Sequence, residues 1–208
     1  MKRLVTAFLV LLMAATMVRS SNNKPAGDVS DFLDGNRSDI PKMICGRSTG
    51  TSFFVTQRIL VSAAHVVSGE ECRASSATFT VDEYHEHFDL AILSTRSSQN
   101  IHSFIISCTG FSPGQTYRGF GYARGVNFRS VLLVPDNRLF QTTYRAPLTS
   151  FQTSSGTVEQ GMSGGPIIND QGEAVGFISA IYIPEDNTAL GVDFRQTPLC
   201  EEYLNGAF

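Results

Sequence analysis

The sequence lacks several features that would each indicate a class of protein. It contains no cluster of lysines and arginines, and its formal net charge of −3 provides no positive field for nucleic acid. No two cysteines form a C-x-x-C pair, the spacing typical of structural zinc sites. Long amphipathic helices, internal repeats and low-complexity tracts are also missing. We therefore expect neither a nucleic-acid partner nor a structural zinc site.

Long apolar runs are missing too, with one exception at the start of the chain. Residues 4–18 are predominantly apolar and follow a basic start, but the run is short for a membrane span, which needs about 20 residues. It predicts a secretory signal peptide at residues 1–20, with an uncleaved anchor as the alternative. The polar residues 21–41 predict a flexible N-terminal segment. We expect the mature protein to be secreted or periplasmic and not membrane-spanning.

The four cysteines are compatible with an oxidising compartment. They are Cys45, Cys72, Cys108 and Cys200. Four cysteines allow three disulfide pairings, and their positions alone leave the choice open.

Short β-rich runs separated by turn residues fill the chain after about residue 42. The predicted strands are 52–55, 59–62, 77–81, 90–94, 104–107, 116–122, 129–134, 139–145, 156–159, 166–168, 174–182 and 190–193. Short helical turns are predicted near 63–68 and 199–204. A break near Cys108–Gly114 divides the predicted domain, 42–208, into lobes at about 42–107 and 115–208. Two lobes of about six strands each suit a pair of closed barrels.

The stretch Gly161-Met-Ser163-Gly-Gly-Pro166 carries the strongest chemical signal. A nucleophilic serine needs backbone N–H groups aimed at the oxyanion, and glycine lets the backbone approach closely. Gly161 and Ser163 would supply those N–H groups, although a plain turn is the alternative. The string also fits the nucleophile elbow of α/β-hydrolases. All four histidines precede the serine, however, and the residues after it predict a strand, so the base and acid must lie upstream.

Two upstream residues are candidates for the base and the acid. His65 follows the apolar stretch 59–64, where a hydrogen-bonded core histidine is the alternative interpretation. Asp89 stands inside an apolar run, and a buried carboxylate there is costly unless it is hydrogen-bonded. A turn or cap residue is the alternative for Asp89.

A zinc site is a competing interpretation of the same region. His85-x-His87-x-Asp89 matches the start of the metallo-β-lactamase zinc motif. That motif needs a histidine directly after the aspartate and further histidines downstream. Leu90 follows here and only His102 remains, so a dinuclear site cannot be completed and we expect no functional metal.

The order His65, Asp89, Ser163 is the triad order of chymotrypsin-like enzymes. The blocks Ala63-Ala-His65, Phe88-Asp89-Leu-Ala-Ile-Leu93 and Gly161-Met-Ser163-Gly-Gly-Pro166 resemble the signature blocks of trypsin/chymotrypsin-like serine proteases. The flanking residues look closest to bacterial-type members similar to the HtrA protease domain.

This resemblance implies a fold and an activity. The fold would be all-β, with two six-stranded antiparallel Greek-key barrels and the active site between them. The protein would be a secreted serine endopeptidase that hydrolyses polypeptides through an acyl-enzyme, without a cofactor. A catalytically impaired, protease-like binding module is the alternative, suggested by the atypical Met162 and by the bulky Ile181 where the family often carries glycine.

The resemblance also implies details of specificity, activation and cross-linking. The walls of the pocket for the residue before the scissile bond would be Thr157, Gln160, Ser179, Ala180 and Ile181, which suggests a small or medium uncharged preference. Trypsin-type activation pairs a new N-terminus with an aspartate just before the serine, a position held here by Met162. We therefore expect the oxyanion site to be formed by packing alone. The residues after 163 are too few for the PDZ domain of HtrA proteases.

The resemblance favours one disulfide pairing. Cys45 and Cys72 flank the strand before His65 much as a common family disulfide does, although Cys72 lies farther past the histidine. Cys108, near the lobe junction, could pair with Cys200 and tie the lobes together.

Overall fold

The strands of the chain close into two six-stranded antiparallel barrels. The computed structural model describes residues 37–69, 71–140, 146–181 and 188–206, without the side chains of residues 137, 180 and 181. In the first barrel the strands are β1 Lys42–Cys45, β2 Ser48–Phe54, β3 Ile59–Ala63, β4 Glu71–Ala74, β5 Ala77–His85 and β6 Leu90–Ser94. Their order is β1-β2-β3-β6-β5-β4, closed by pairing of β1 with β4.

The second barrel repeats this topology. Its strands are β7 Tyr117–Ala123, β8 Asn127–Phe140, β9 Leu148–Ser155, β10 Pro166–Ile168, β11 Ala174–Ile181 and β12 Thr188–Asp193. Their order is β10-β11-β12-β9-β8-β7, and β10 pairs with β7 to close the barrel. The predicted fold class, a pair of Greek-key barrels, is therefore confirmed.

A chain of aromatic side chains joins the two barrels. Phe53 of β2 lies 6.2 Å from Phe194, whose ring lies 5.9 Å from Phe177 of β11, centroid to centroid. Phe104, in the connection between the barrels, packs edge-on against Phe53 at 5.8 Å. All four rings are buried, and such pairs are favourable beyond the apolar area they bury. The barrels therefore share one core, which fixes the cleft between them.

Several predicted strands differ from the observed ones. Residues 104–107 make only an isolated bridge between Ile106 and Ala174, and 156–159 lie outside any strand. The predicted strand 129–134 and the first two residues of the predicted strand 139–145 belong to one long strand, β8, with an irregularity between Pro135 and Leu139. Strands β1, β4 and β9 were not predicted. β1 is only four residues long, β4 alternates charged with buried apolar residues, and β9 contains only two apolar residues, Leu148 and Phe151.

The remaining elements are short. Three 3₁₀ turns cover Ala64–Val66, Glu86–Phe88 and Phe194–Gln196, and helix α1 covers Pro198–Leu204. The predicted turn near 63–68 and helix near 199–204 agree with this. None of the helices in the described part of the chain could cross a membrane. The predicted signal peptide, most of the segment 21–41 and residues 141–145 lie outside the described residues.

Two disulfide bonds are present, which confirms the expectation of disulfides. Cys45 at the end of β1 is bonded to Cys72 of β4, within the first barrel. Cys108, in the connection between the barrels, is bonded to Cys200 of α1. The second bond therefore closes a sequence interval of 92 residues that contains the whole second barrel.

Candidate active site

The pairing of β3 with β6 brings His65 and Asp89 together. Ala63, the last residue of β3, pairs with Leu90, the first residue of β6. His65 lies in the 3₁₀ turn that follows β3, and Asp89 ends the turn that precedes β6. The Ala64 N–H donates to the Asp89 carbonyl at 2.7 Å and locks the two turns side by side.

The Asp89 carboxylate is fully buried and lies against the His65 ring. His65 Nδ1 lies 2.9 Å from both Oδ1 and Oδ2, and the His65 backbone N–H donates to Oδ1 at 3.0 Å. The Ser179 hydroxyl of β11 donates to Oδ2 from the second barrel. Asp89 has φ +52°, a left-handed conformation that aspartate tolerates better than most residues. These donors supply the hydrogen bonds that a buried carboxylate requires.

These contacts keep Asp89 ionised. Burial alone would raise the pKa of Asp89, but the hydrogen bonds and charge attraction from His65, together with the Ser179 hydroxyl, outweigh it and lower the pKa below 3.8. A carboxylate only accepts hydrogen bonds, so His65 must carry its proton on Nδ1. That arrangement leaves Nε2, which faces away from Asp89, with a free lone pair.

The lowered pKa of Asp89 predicts how stability depends on pH. An acid whose pKa is lower in the folded state stabilises that state above its unfolded pKa, and this contribution is lost as the pH falls through the folded value. The stability gap between wild type and Asp89→Asn should therefore be widest near neutral pH and narrow below about pH 4. The gap in the free energy of unfolding should shrink by about 1.4 kcal/mol for each pKa unit by which folding lowers the pKa of Asp89. Denaturant unfolding of both proteins from pH 3 to pH 7 measures the gap, and a constant gap would contradict the prediction.

The loop carrying Ser163 is held against the first barrel by Thr51. The Thr51 N–H donates to the Ser163 carbonyl at 2.9 Å, and its hydroxyl donates to the Gly161 carbonyl at 2.8 Å. The same hydroxyl accepts the Tyr122 N–H of β7 at 2.9 Å. Thr51 is fully buried, so these bonds are shielded from water. Sequence reasoning missed this residue, because serine and threonine also occupy positions 48, 49 and 52 of β2 and nothing local distinguishes Thr51.

Two positions in this loop require glycine. Gly161 has φ +93°, and a Cβ atom there would lie 2.6 Å from the Tyr122 carbonyl oxygen. A Cβ atom on Gly165 would lie 1.8 Å from the Phe120 carbonyl oxygen. Both contacts are with backbone atoms of β7, which cannot move aside as a flexible side chain could. The glycines therefore allow the Ser163 loop to lie directly on β7.

The N–H groups of Gly161 and Ser163 are available to a ligand. The Gln160 carbonyl accepts the Arg124 N–H at 2.6 Å. In a trans peptide the N–H points opposite to the C=O, so the Gly161 N–H points away from Arg124. Within the described residues, neither the Gly161 nor the Ser163 N–H has a hydrogen-bond acceptor. A pair of unused N–H groups beside a serine is what oxyanion stabilisation requires.

Glu159 anchors the other end of the loop. Its carboxylate lies 2.8 Å from Arg124 Nε and 2.6 Å from Arg129 Nη1, on either side of the β7–β8 turn. The Glu159 N–H donates to the sulfur of Met162, which is fully buried. Met162 thus fills with packing the position at which trypsin-type enzymes place an aspartate.

His65, Gly161 and Ser163 line one open cavity of about 730 Å³ between the barrels. Ser163 is half-buried, and the His65 side chain is 35% exposed. The hydrogen bonds of the His65 ring run to Asp89, and within the described structure none joins His65 to Ser163. In enzymes without substrate this bond is often long and shortens when the substrate binds.

The other residues singled out in the sequence lie in varied places. Thr157 and Gln160 are exposed, and Gln160 lines the cavity. The Ser179 side chain is buried against Asp89, and the side chains of Ala180 and Ile181 are outside the described structure. The histidines of the zinc motif are engaged elsewhere, since His85 Nε2 lies 2.7 Å from Glu83 and the His87 ring packs on Phe88.

The sequence has a recognisable family signature over most of the two barrels. No curated protein sequence matches the chain. Residues 50–177 match the family model described as a trypsin-like peptidase domain. The chain belongs to the trypsin-like peptidase family. It is therefore a hydrolase, a serine protease whose natural substrates are polypeptides.

Solved structures of bacterial-type proteases share the fold of this trypsin-like peptidase. The inactive form of the protease Rv3671c has a TM-score of 0.69 at 20% identity, covering 81% of this chain and 90% of that chain. The active form, from M. tuberculosis, has a TM-score of 0.65 at 21% identity, covering 82% and 80%. The HtrA-type protease AlgW with a tripeptide has a TM-score of 0.67 at 16% identity, covering 85% and 62%. The predicted family resemblance is confirmed.

Proposed function

We propose that the protein is a secreted endopeptidase that cleaves peptide bonds with Ser163 as nucleophile, His65 as base and Asp89 as the orienting acid. One observation carries the proposal: a buried, ionised carboxylate holds the Nδ1 side of a histidine whose other side shares a cavity with a serine. Once a hydrogen bond from Ser163 to Nε2 forms on substrate binding, this arrangement would activate the serine.

The reaction proceeds in two acyl-transfer steps. Ser163 Oγ attacks the scissile carbonyl while His65 Nε2 takes its proton, and Asp89 stabilises the imidazolium that forms. The C–N bond then breaks, and His65 returns the proton to the departing amine. A water molecule, deprotonated by His65, next attacks the acyl-enzyme. The ester C–O bond then breaks, His65 returns the proton to Ser163 Oγ, and the carboxylic acid is released. Each step is balanced without a metal or an organic cofactor.

The Gly161 and Ser163 N–H groups would stabilise the oxyanion of each tetrahedral intermediate. Neither has an acceptor among the described residues, so both can donate to the developing charge. Loss of one such donor typically costs about 3–4 kcal/mol of transition-state stabilisation. The contacts of Thr51 and Glu159 hold this loop in place before substrate binds. They would replace the ion pair that trypsin-type enzymes use for this purpose, which Met162 cannot form.

Location and specificity complete the proposal. Two disulfides in one small domain suit a secreted or periplasmic protein, because the cytosol keeps thiols reduced. For the residue before the scissile bond we propose a small or medium uncharged side chain, since Thr157 occupies the position of the trypsin aspartate.

The decisive experiment is covalent labelling of the mature protein with a fluorophosphonate probe. The wild type should be labelled, and Ser163→Ala should lose all labelling because the nucleophilic oxygen is gone. Ser97→Ala is the matched control, since Ser97 is exposed and does not line the cavity, and it should be labelled like wild type. A folded wild type that binds peptides but resists the probe would instead support the catalytically impaired binding module.

A further inference from the structure

The cavity that contains Ser163 has a strongly positive lining. Lys42, Arg47 and Arg124 line it together with His65, and none of its described lining residues is an aspartate or a glutamate. This composition contrasts with the whole chain, in which 19 acidic residues outnumber 16 lysines and arginines. A cleft lined by one sign of charge attracts ligands of the opposite sign.

Two of these three positive charges have no carboxylate partner among the described residues. Within the described part of the chain, neither Lys42 nor Arg47 has a carboxylate within 4.0 Å. Arg124 lies beside Glu159, but Glu159 also pairs with Arg129, so the group of three keeps one excess positive charge. Three formal positive charges therefore remain along the cavity.

A second cavity extends the positive surface. It has a volume of about 710 Å³, shares Lys42 with the first and adds Arg37 and Arg73, again without an acidic residue among the described lining. Arg37 lies over the Phe128 ring at 5.9 Å, which places its guanidinium beside the second barrel. We call Arg37, Lys42, Arg47, Arg73 and Arg124 the basic strip; it crosses from the first barrel to the second.

The basic strip lies on one side of the nucleophile. Of the described residues in the expected pocket for the residue before the scissile bond, Thr157 and Ser179 line neither cavity, and Gln160, directly before Gly161, lines the first. A substrate whose acyl portion occupies that pocket must pass Ser163 and continue along the opposite side. There it meets Arg47 and Lys42, so the strip faces the residues that leave with the amine product.

We propose that this protease selects polypeptides with aspartate or glutamate among the first residues after the scissile bond, through Lys42, Arg47 and Arg124. This inference rests on the proposed function, because it takes Ser163 as the point of cleavage. Arginine suits the role, since its guanidinium binds a carboxylate through two parallel hydrogen bonds.

The test uses peptides that are identical before the scissile bond. A cleavable sequence is first found by digesting a peptide library with the mature protein. Three versions are then made, with Glu-Glu, Gln-Gln or Lys-Lys after the cleaved bond. We expect kcat/KM for the Glu-Glu peptide to exceed that for Gln-Gln about ten-fold, because each of two exposed ion pairs contributes a factor of about two to five. The Lys-Lys peptide should be the poorest substrate.

Changes in salt concentration and substitutions in the basic strip show whether the strip causes the preference for the Glu-Glu peptide. Raising the ionic strength from roughly 0.1 M to roughly 1 M shortens the Debye length from about 10 Å to about 3 Å and should reduce the Glu-Glu to Gln-Gln ratio at least three-fold. The double variant Lys42→Gln/Arg47→Gln should reduce the ratio to roughly two, because only Arg124 of the three residues remains. Arg96→Gln is the matched control, because Arg96 is exposed and lines neither cavity, and its ratio should equal that of wild type.

The outcomes separate this inference from the proposed function. A protein that reacts with the fluorophosphonate probe and cleaves all three peptides equally would overturn the acidic preference and leave the serine mechanism standing. Equal cleavage with salt-sensitive binding of an oligonucleotide would overturn it too and assign the strip to another polyanion. A folded protein that neither reacts with the probe nor cleaves any peptide would overturn both.

Discussion

Replacement of Asp89 by asparagine should lower kcat by about four orders of magnitude while leaving the fold intact. The Asp89 carboxylate accepts hydrogen bonds from His65 Nδ1, the His65 backbone and the Ser179 hydroxyl. An asparagine can direct its NH₂ group at Nδ1, which forces the ring proton onto Nε2 and blocks proton transfer from Ser163. A comparable substitution in a serine protease triad costs about 10⁴ in kcat because the histidine adopts the wrong tautomer.

A second histidine–carboxylate pair provides the control for this experiment. His85 Nε2 lies 2.7 Å from Glu83 Oε2, at the end of β5 and away from the cavity. Glu83→Gln removes that pair by the same chemical change and should alter kcat by less than about two-fold, as surface ion pairs contribute little. Initial rates on one peptide, with folding checked by circular dichroism, measure both variants. If Asp89→Asn kept more than a tenth of the wild-type kcat, Asp89 would not be the orienting acid.

Loss of the Cys108–Cys200 disulfide should cost more stability than loss of the Cys45–Cys72 disulfide. The bond closes a sequence interval of 92 residues, so the chain-entropy model assigns it about 4–5 kcal/mol of the free energy of unfolding. The Cys45–Cys72 bond closes an interval of only 27 and should contribute about 3–4 kcal/mol. A domain of this size has a total stability of about 5–15 kcal/mol, so either loss is a large fraction.

The two double variants Cys108→Ser/Cys200→Ser and Cys45→Ser/Cys72→Ser test this order directly. Urea unfolding of each, beside the wild type, gives the three free energies of unfolding under non-reducing conditions. The fluorophosphonate probe reports in parallel whether the site between the barrels stays assembled. A smaller loss for the longer interval would show that the second barrel is held mainly by its core and not by the covalent link.

The catalytic candidates could be predicted from the sequence because each lies in a local pattern. His65 follows an apolar strand, Asp89 directly precedes another, and Ser163 lies among glycines that the close approach of β7 requires. The β-rich, two-lobed character followed from the many short runs separated by turn residues, and the Greek-key barrels followed from the family resemblance. The two closed barrels confirm both.

The partners of these residues could not be predicted, because they come from distant parts of the chain. Ser179 is separated from Asp89 by 90 positions, and Thr51 from Gly161 by 110. Neither residue lies in a local sequence pattern that indicates its role. Their hydrogen-bond partners become visible only in the folded structure, where the two barrels bring these residues together. The ion pairs of Glu159 are equally non-local, since Arg124 and Arg129 flank the β7–β8 turn, 35 and 30 residues earlier in the chain.

Strand prediction failed for strands that pair with their neighbours through backbone hydrogen bonds but contain no run of apolar residues. In β4, Glu71 and Arg73 are exposed while Cys72 and Ala74 are buried, so the strand shows alternation without a run of apolar residues. Residues 104–107 show the reverse case. They are apolar and partly buried because they cross between the barrels, but Ile106 makes only one isolated bridge. A run of apolar residues therefore predicts that a segment is buried, but it does not by itself predict that the segment pairs in a sheet.

The hydroxyl of Thr51 has a consequence for how such a protein can change over evolutionary time. It accepts the Tyr122 N–H of one barrel strand and donates to Gly161 in the nucleophile loop, although Thr51 belongs to the other barrel. The lobes are therefore not interchangeable modules. A first half taken from a relative without a hydroxyl at this position would leave the Tyr122 N–H and the Gly161 carbonyl without this partner, and the Ser163 loop would lose one of the contacts that place it. Recombination between the two halves should therefore preserve activity only when both parent proteins carry a hydroxyl at the position of Thr51.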